Sequence, residues 1–367
     1  MTEISTAMAV SATLNAASTS SPDGSPVQTK PQSTIAARAS QRRLALARYG
    51  GRRALQTLPT IVLIVLTTFI LLRLAPGDMV QVLAGESGGG NPEYLEQLRS
   101  SFGLDQPIPV QFAKYVYQLL HLNLGYSFRF QVPVSELIGT RLIATLMLMT
   151  LGLILAVLIG VPAGIIAARS AGRLPDKIIS ALSLVIYATP NFLLGIALIV
   201  LFAVELRWLP ISGMVDPYGV NDLAGYVWSV ARHLVLPTLT LGLFYGAIYT
   251  RLTRSAMLEV GDQDFVLTAR SKGLSQSRIV RRHVLRNAML PLLTMIGMQM
   301  AGMVGGSVLI ETIFAWPGIG RLAFEAVFQR DYNLLCGIVL CSSIMVVTIN
   351  LLVDLLYTVL DPRVNIR

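Results

Sequence analysis

Hydrophobic residues in this chain are gathered into long uninterrupted runs. Six windows rich in Leu, Ile, Val, Met and Ala contain no Asp, Glu, Lys or Arg: 54–72, 142–168, 178–204, 233–250, 287–310 and 332–353. A helix needs about 20 mostly apolar residues to cross a bilayer. A seventh charge-free window, 4–22, does not qualify because eight of its 19 residues are Ser or Thr. The pattern predicts an all-α membrane protein with six transmembrane helices, near 55–74, 141–168, 178–204, 233–254, 287–311 and 333–358.

Composition agrees with this pattern and excludes several classes of protein. Only 13% of the 367 residues are charged, against about 25% in soluble domains, which argues against a soluble enzyme. The two cysteines lie in the last apolar window and the three histidines are far apart in sequence. We therefore expect neither a disulfide framework nor a metal site, and no catalytic residues.

The basic residues predict an orientation. With residue 1 in the cytoplasm, 20 Lys and Arg residues fall in cytoplasmic segments and seven in outer segments, as the positive-inside rule requires. Both termini are then cytoplasmic, and the net charge of +9 needs no nucleic-acid partner. Residues 1–45 are predicted to be a disordered cytoplasmic tail, and the arginines at 42–53 an anchor for the first span.

Small residues and prolines predict how the spans pack. Close helix contacts are expected at three Gly-x-x-x-Gly pairs, with Gly297, Ala301 and Gly305 extending the last of them: Gly160 and Gly164, Gly242 and Gly246, and Gly302 and Gly306. The partner helices are not defined by the pattern. Pro190 and Pro237 are expected to kink the third and fourth spans.

Two loops are long enough to carry structure of their own. The outer loop, about 75–140, predicts a helix at about 92–102 and a second amphipathic segment containing Phe112, Tyr115, Val116 and Leu119. The cytoplasmic loop, about 255–286, predicts a short helix from Asp264 to Lys272 that Gly273 terminates. A second helix is expected from Ser275 or Ser277. Such a loop is either a docking element for another protein or a solvated basic loop, and the residues alone leave both open.

The cytoplasmic loop resembles the coupling loop of binding-protein-dependent ABC transporter permeases, in the dipeptide, oligopeptide and nickel branch. The resemblance rests on Asp264–Leu274 and Arg282–Pro291, with four further stretches in order: Leu74–Asp78, Phe102–Pro107, Asn123–Ser127 and Glu311–Leu322. It covers the chain from about residue 45 to the end. It implies a type I ABC importer permease domain over residues 46–367, in the cytoplasmic membrane.

The resemblance also implies a function and partners. The chain would translocate small peptides, or a related solute such as glutathione or a nickel chelate. It would pair with a second homologous permease, two ATP-binding cassette subunits that bind ATP and Mg, and a periplasmic or lipid-anchored solute-binding protein. The expected ATPase-coupling residues are Asp264, Phe265, Thr268, Ala269, Arg270, Lys272, Gly273 and Leu274. No Gly-x-x-x-x-Gly-Lys-Ser/Thr motif is present, so no ATPase site or cofactor is expected on this chain.

The sequence departs from the branch in two places. Leu267, Thr268 and Ala269 stand where the widely shared loop begins Glu-Ala-Ala, and Phe265 and Leu267 stand where the branch often has Tyr and Arg. A missing arginine would weaken one contact with the ATPase. The tail is longer than is usual in the branch, either as a genuine extension or from an upstream start site.

Polar residues in the spans are candidates for the translocation path or gate. These are Asn191, Gln299 and Glu311, since an acid at membrane depth is costly. The alternative for Glu311 is a pairing with Arg321 or Arg141 that fixes the outer loop, and for the amides a helix-helix hydrogen bond. Asp354 is expected to pair with a loop arginine. The competing functional class is an ion-gradient-driven secondary transporter, which predicts mid-span carboxylates and an inverted repeat. A third class, a membrane-embedded hydrolase, is disfavoured because the sequence shows no clustered set of catalytic residues.

Overall fold

The computed structural model describes residues 35–74, 105–127, 129–216 and 222–360. In these residues the chain forms eleven α-helices and one short hairpin: α1 Ile35–Leu74, α2 Ile108–Leu120, β1 Tyr126–Ser127, β2 Val132–Pro133, α3 Val134–Arg169, α4 Leu174–Ala188, α5 Asn191–Leu198, α6 Leu223–Gly261, α7 Asp264–Ser271, α8 Gln276–Ile279, α9 Leu285–Ile313, α10 Ile319–Phe328 and α11 Tyr332–Leu360. π-Helical turns follow α5, at Ile199–Glu205, and α8, at Val280–Val284.

Five helices are long and apolar enough to cross a membrane, and a sharply bent helix pair supplies a sixth candidate span. The five are the end of α1, then α3, α6, α9 and α11. Each overlaps one of the predicted spans. The all-α membrane architecture is therefore confirmed, with the third span interrupted.

The third span is broken rather than kinked at Pro190. Helix α4 ends at Ala188, α5 begins at Asn191, and their axes differ by 104°. Proline has no N–H and its ring excludes the preceding residue from helical geometry, and Thr189 is accordingly extended, with φ −80° and ψ 126°. Pro237 behaves differently, because α6 continues through it from Leu223 to Gly261.

Glycines allow α3 and α6 to lie in backbone contact. A Cβ on Gly160 would lie 2.5 Å from the carbonyl oxygen of Gly246, and one on Gly164 would lie 2.6 Å from that of Thr250. Gly242 is also closely packed, in this case against the side chain of Leu155. The first two small-residue pairs therefore face each other, which identifies the partner that the sequence pattern left undefined.

Small residues on α9 contact two neighbouring helices instead of one. On α9, Gly297 is packed tightly against Val353 of α11, and Gly306 lies against the Tyr245 hydroxyl of α6. A Cβ on Gly305 would meet no atom within 4 Å. Within the described residues, the small-residue face of α9 therefore has close neighbours at Gly297 and Gly306 but none at Gly305.

The outer-loop helix α2 packs on the end of α1 through its predicted apolar face. The ring of Phe69 lies with its centroid 5.3 Å from that of Phe112 and 5.7 Å from that of Tyr115. The helix predicted at about 92–102 lies outside the described residues. The hairpin and α10 were not predicted from the sequence.

The predicted boundaries of the tail and the coupling loop need correction. Helix α1 begins at Ile35, inside the predicted disordered tail, in a segment rich in Ala, Arg and Leu, which favour helix. Helix α6 continues to Gly261, seven residues into the predicted coupling loop. The described residues from Arg52 onward form one compact unit, which holds all the features below.

We predict that Gly160→Ala destabilises the protein by about 1–3 kcal/mol, because the added methyl group forces the α3 and α6 backbones apart. The matched control on the same helix is Gly139→Ala, where a Cβ meets nothing within 4 Å. Thermal denaturation of the purified transporter should show a lower midpoint for the first variant only. Equal midpoints for the two variants would contradict backbone contact at Gly160.

Candidate functional site

Helix α7 is a short helix with a well-defined C-terminus. After Ser271 the chain turns at Gly273, which has φ +73°. The N–H of Gly273 donates to the carbonyl of Arg270 at 2.9 Å, and the N–H of Leu274 donates to that of Ala269 at 3.4 Å. This pair of bonds is the Schellman arrangement, which favours glycine at the left-handed position. The predicted start at Asp264 and the terminating role of Gly273 are confirmed.

One face of α7 is fixed to the rest of the chain by apolar packing. Val266 is fully buried and Ala269 is 5% exposed, and both belong to a cluster that we call the loop core: Ala256, Met257, Val260, Val266, Ala269, Ile279, Val280, Val284 and Ala288. The loop core joins the end of α6, α7, α8 and the start of α9. Helix α7 therefore shares one apolar cluster with both long helices.

Burial requires a correction to the predicted coupling surface. Ala269 packs in the loop core and Leu274 is half-buried against it, so neither presents a free side chain. The remaining predicted coupling residues are exposed: Asp264, Phe265, Thr268, Arg270, Lys272 and Gly273. Phe265 is 39% exposed. The outer face of α7 thus combines a phenyl ring with charges of both signs, the composition of a docking surface with a polar rim.

An ion pair between the buried Asp176 and the partly exposed Arg254 fixes the start of α4 to α6. Arg254 Nε donates to Asp176 Oδ1 at 2.5 Å and Arg254 Nη2 donates to Oδ2 at 2.8 Å. The carboxylate also accepts from the N–H of Gly172 and from the Ser180 hydroxyl, and Asp176 is only 4% exposed. This bidentate geometry gives directional as well as charge specificity. The sequence analysis missed the pair, although an acid in the first turn of α4 is a recognisable pattern.

A cavity of about 700 Å³ opens between α4, α6 and α9. Its lining side chains recur every three or four residues along each helix, so each helix contributes one face. The lining consists of Ser180, Leu184 and Tyr187 on α4, Ile248, Arg251, Leu252, Arg254 and Ser255 on α6, and Met295 and Gln299 on α9. Of the three predicted path residues, only Gln299 lies in this lining. Asn191 is half-buried at the start of α5 and is not part of it.

Glu311 is fully buried and holds the loop that follows α9. Its Oε1 accepts from the Thr145 hydroxyl at 2.8 Å, and its Oε2 accepts from the backbone N–H of Arg321 at 3.1 Å. The N–H of Gly320 also donates to the carboxylate. The carboxyl group thereby caps the N-terminus of α10, where free N–H groups need an acceptor.

The loop is shaped around this carboxylate. Gly318 and Gly320 lie so close to Glu311 that a Cβ at either position would press on its carboxyl group. The Trp316 indole N–H donates to the carbonyl of Ala144 at 2.9 Å, which fixes the loop to α3. The side chain of Arg321 bonds instead to Glu325 and the carbonyl of Ala315. The predicted pairing with Arg321 therefore occurs through its backbone and not through its charge.

Asp354 Oδ2 lies 3.4 Å from Arg53 Nη1, so its arginine partner comes from α1 instead of a loop. Among the residues that the structure describes, no group of three or more His, Cys, Asp or Glu side chains is arranged to hold a metal ion.

Comparison with known proteins gives the family. The model of the binding-protein-dependent transport system inner membrane component matches residues 160–366, and the model of the N-terminal part of such components matches residues 46–149. The chain belongs to this family of inner membrane transport components. More than half of its length lies in the first match alone.

Similar permeases cover most of the chain. The dipeptide transport system permease protein DppB of Escherichia coli (strain K12) is 39% identical over an alignment of 331 residues. The alignment covers 86% of this chain and 97% of DppB. A putative peptide permease of Brucella ovis is 39% identical over 88% of this chain and its own full length, and a probable peptide ABC transporter permease of Sinorhizobium fredii is 40% identical over 86% of this chain and 98% of its own length.

Structural similarity supports the same architecture. An inward-facing structure of the MetNI methionine ABC transporter superposes with a TM-score of 0.50 at 18% identity, covering 62% of this chain and 97% of that one. At this identity the similarity concerns the fold alone. The permease therefore has the fold of ABC importer permeases, and no finding supports an ion-gradient-driven transporter.

We predict that Glu311→Gln destabilises the permease by about 1–3 kcal/mol, because the amide NH₂ then faces the N–H donors that the carboxylate accepted. Glu325→Gln is the control, since Glu325 is partly exposed and pairs with Arg321 on its own helix. The free energy of unfolding in urea, or the thermal midpoint, should fall for Glu311→Gln and change little for Glu325→Gln. Equal stability of the two variants would show that the carboxylate does not hold the loop.

We predict that Asp176→Asn and Arg254→Gln each lower the thermal midpoint, whereas the double variant loses less than the two single losses combined. Each single change leaves one group of the pair without its partner, and the double change removes both. The four proteins of this cycle should be compared in one detergent. Additive losses would contradict a direct interaction.

Proposed function

We propose that this permease carries small peptides across the cytoplasmic membrane in an ATP-driven importer. The names of its relatives support a peptide substrate, since DppB is a dipeptide permease and the relatives from Brucella and Sinorhizobium are described as peptide permeases. Identity of 39–40% over nearly the full length of those proteins supports a shared task. Glutathione or a nickel chelate is the alternative class of solute.

The energy comes from other subunits in this proposal. The sequence contains no phosphate-binding Gly-x-x-x-x-Gly-Lys-Ser/Thr loop, so ATP and Mg would bind on two ATP-binding cassette subunits. A second, homologous permease would complete the translocation path. A periplasmic or lipid-anchored solute-binding protein would deliver the peptide, in keeping with the family's description as binding-protein-dependent.

The observation that carries the coupling role is the two-sided construction of α7. Its outer face presents Asp264, Phe265, Arg270 and Lys272, while its inner face is fixed by Val266 in the loop core. A partner that moves the outer face of α7 would also move α6 and α9, because the loop core joins the three helices. Closure of the ATPase pair would thereby switch the spans between inward-open and outward-open states.

The orientation follows from the same assignment. An ATPase contact at α7 places the loop after α6 in the cytoplasm, together with both chain termini. The distribution of 20 basic residues on that side against seven on the other supports this arrangement. The Glu311 loop and α2 then lie at the outer surface, where the binding protein docks.

We predict that Gly273→Arg abolishes coupled uptake but leaves membrane insertion intact. An arginine at φ +73° strains the turn and places a long side chain beside the exposed face of α7. The matched variant is Gly273→Asn, because asparagine tolerates the left-handed conformation with a short side chain. ATP-dependent dipeptide uptake into proteoliposomes, with all subunits and the binding protein present, should be lost for the first variant and largely kept for the second.

Two results would contradict the proposal at different levels. Full uptake by Gly273→Arg would exclude α7 as the coupling element. Absence of ATP-dependent dipeptide uptake by the unaltered complex, with ATPase activity preserved, would exclude peptides as the substrate.

A further inference from the structure

We propose that the cavity between α4, α6 and α9 binds the carboxylate end of a short peptide, with Arg251 as the residue that contacts it. This inference rests on the proposed transport of peptides and assigns a particular binding site for them. The volume of the cavity, about 700 Å³, lies in the range of small-molecule sites, about 300–1,000 Å³.

The two arginines that line the cavity differ in whether an acidic side chain already pairs with them. Arg254 is already neutralised by the bidentate contact with Asp176. Arg251 lies with its guanidinium carbon 5.2 Å from the centre of the Tyr187 ring, and in the part of the chain that the structure describes no acidic side chain forms a salt bridge with it. The cavity wall therefore carries one uncompensated positive charge.

Arg251 is held in a position that suits an incoming anion. Contact with the Tyr187 ring favours one placement of the guanidinium, and its N–H groups remain available for a carboxylate, which an arginine can bind in bidentate fashion. Tyr187 is itself supported by the Phe244 ring, 6.3 Å away and nearly parallel. Arg251 takes no part in the loop core, which lies on the other face of α6.

The rest of the lining fits the body of a peptide. Leu184, Ile248, Leu252 and Met295 provide apolar walls, and the Gln299 amide can both donate to and accept from a peptide backbone. An amphiphile with a negative group matches this combination of one charge, few polar groups and apolar walls. A short peptide supplies all three features, and we commit to it over the headgroup of an anionic lipid.

The test measures occupancy through a thiol placed in the cavity. Ser255→Cys lies at an exposed lining position one turn from Arg251, and the background carries Cys336→Ala and Cys341→Ala. The whole transporter is placed in phosphatidylcholine nanodiscs without binding protein, and the rate of thiol modification by neutral methyl methanethiosulfonate is followed. The probes are dialanine and dialanine amide, which lacks the carboxylate.

We expect dialanine to slow the modification and the amide to have little effect. Arg251→Gln should raise the dialanine concentration needed for half-protection by about tenfold, the loss of one charge-assisted contact. Arg169→Gln is the matched control, because Arg169 is an exposed arginine at the end of α3 and does not line the cavity. It should leave protection unchanged.

Three results would overturn the inference. These are equal protection by the amide, unchanged protection in Arg251→Gln, and a modification rate that falls with added phosphatidylglycerol but not with dialanine, which would indicate a lipid site. ATP-driven dialanine uptake by the same complex, with binding protein added, distinguishes failure of the cavity assignment from failure of the proposed function. Uptake without protection overturns only the cavity assignment, whereas absence of uptake in the unaltered transporter overturns the peptide function.

Discussion

The backbone contact between α3 and α6 is the constraint on which the other features depend. Lipid tails are as apolar as leucine, so membrane helices associate through close packing more than through the hydrophobic effect. Gly160 and Gly164 bring their helix within 2.5–2.6 Å of carbonyl groups on α6, measured from an ideal Cβ. This contact fixes α6, and α6 in turn carries Arg254 for the ion pair, Arg251 for the cavity and the residues that begin the loop core.

The two ends of the helix assembly are stabilised by different chemistry. At one end, apolar packing of Val266 and its neighbours attaches α7 to two long helices, while the Asp176 and Arg254 pair attaches the turn before α4. At the other end, the buried carboxylate of Glu311 orders the loop before α10 by accepting backbone N–H groups. Both arrangements attach a short helix or loop to the long helices.

Local patterns predicted much of the fold and part of the site. Charge-free windows located the five long apolar helices and the bent pair that is the sixth candidate, because the requirement for about 20 apolar residues is a property of the bilayer. The amphipathic face of α2 and the glycine that ends α7 were also predicted, since both depend on residues near each other in sequence. The break at Pro190 was underestimated as a kink, because the angle between two helix segments depends on what each packs against.

The sequence by itself determined that this is a helical membrane permease, which loop carries the short helix α7, and which family it belongs to. Only the tertiary structure decided the roles of single side chains. It placed Ala269 inside the loop core, enclosed Glu311 beneath a loop, paired Arg254 with Asp176 and left Arg251 facing a cavity. Each of these outcomes depends on contacts between residues tens to hundreds of positions apart, and no local pattern of polarity can specify which distant segment a side chain will meet.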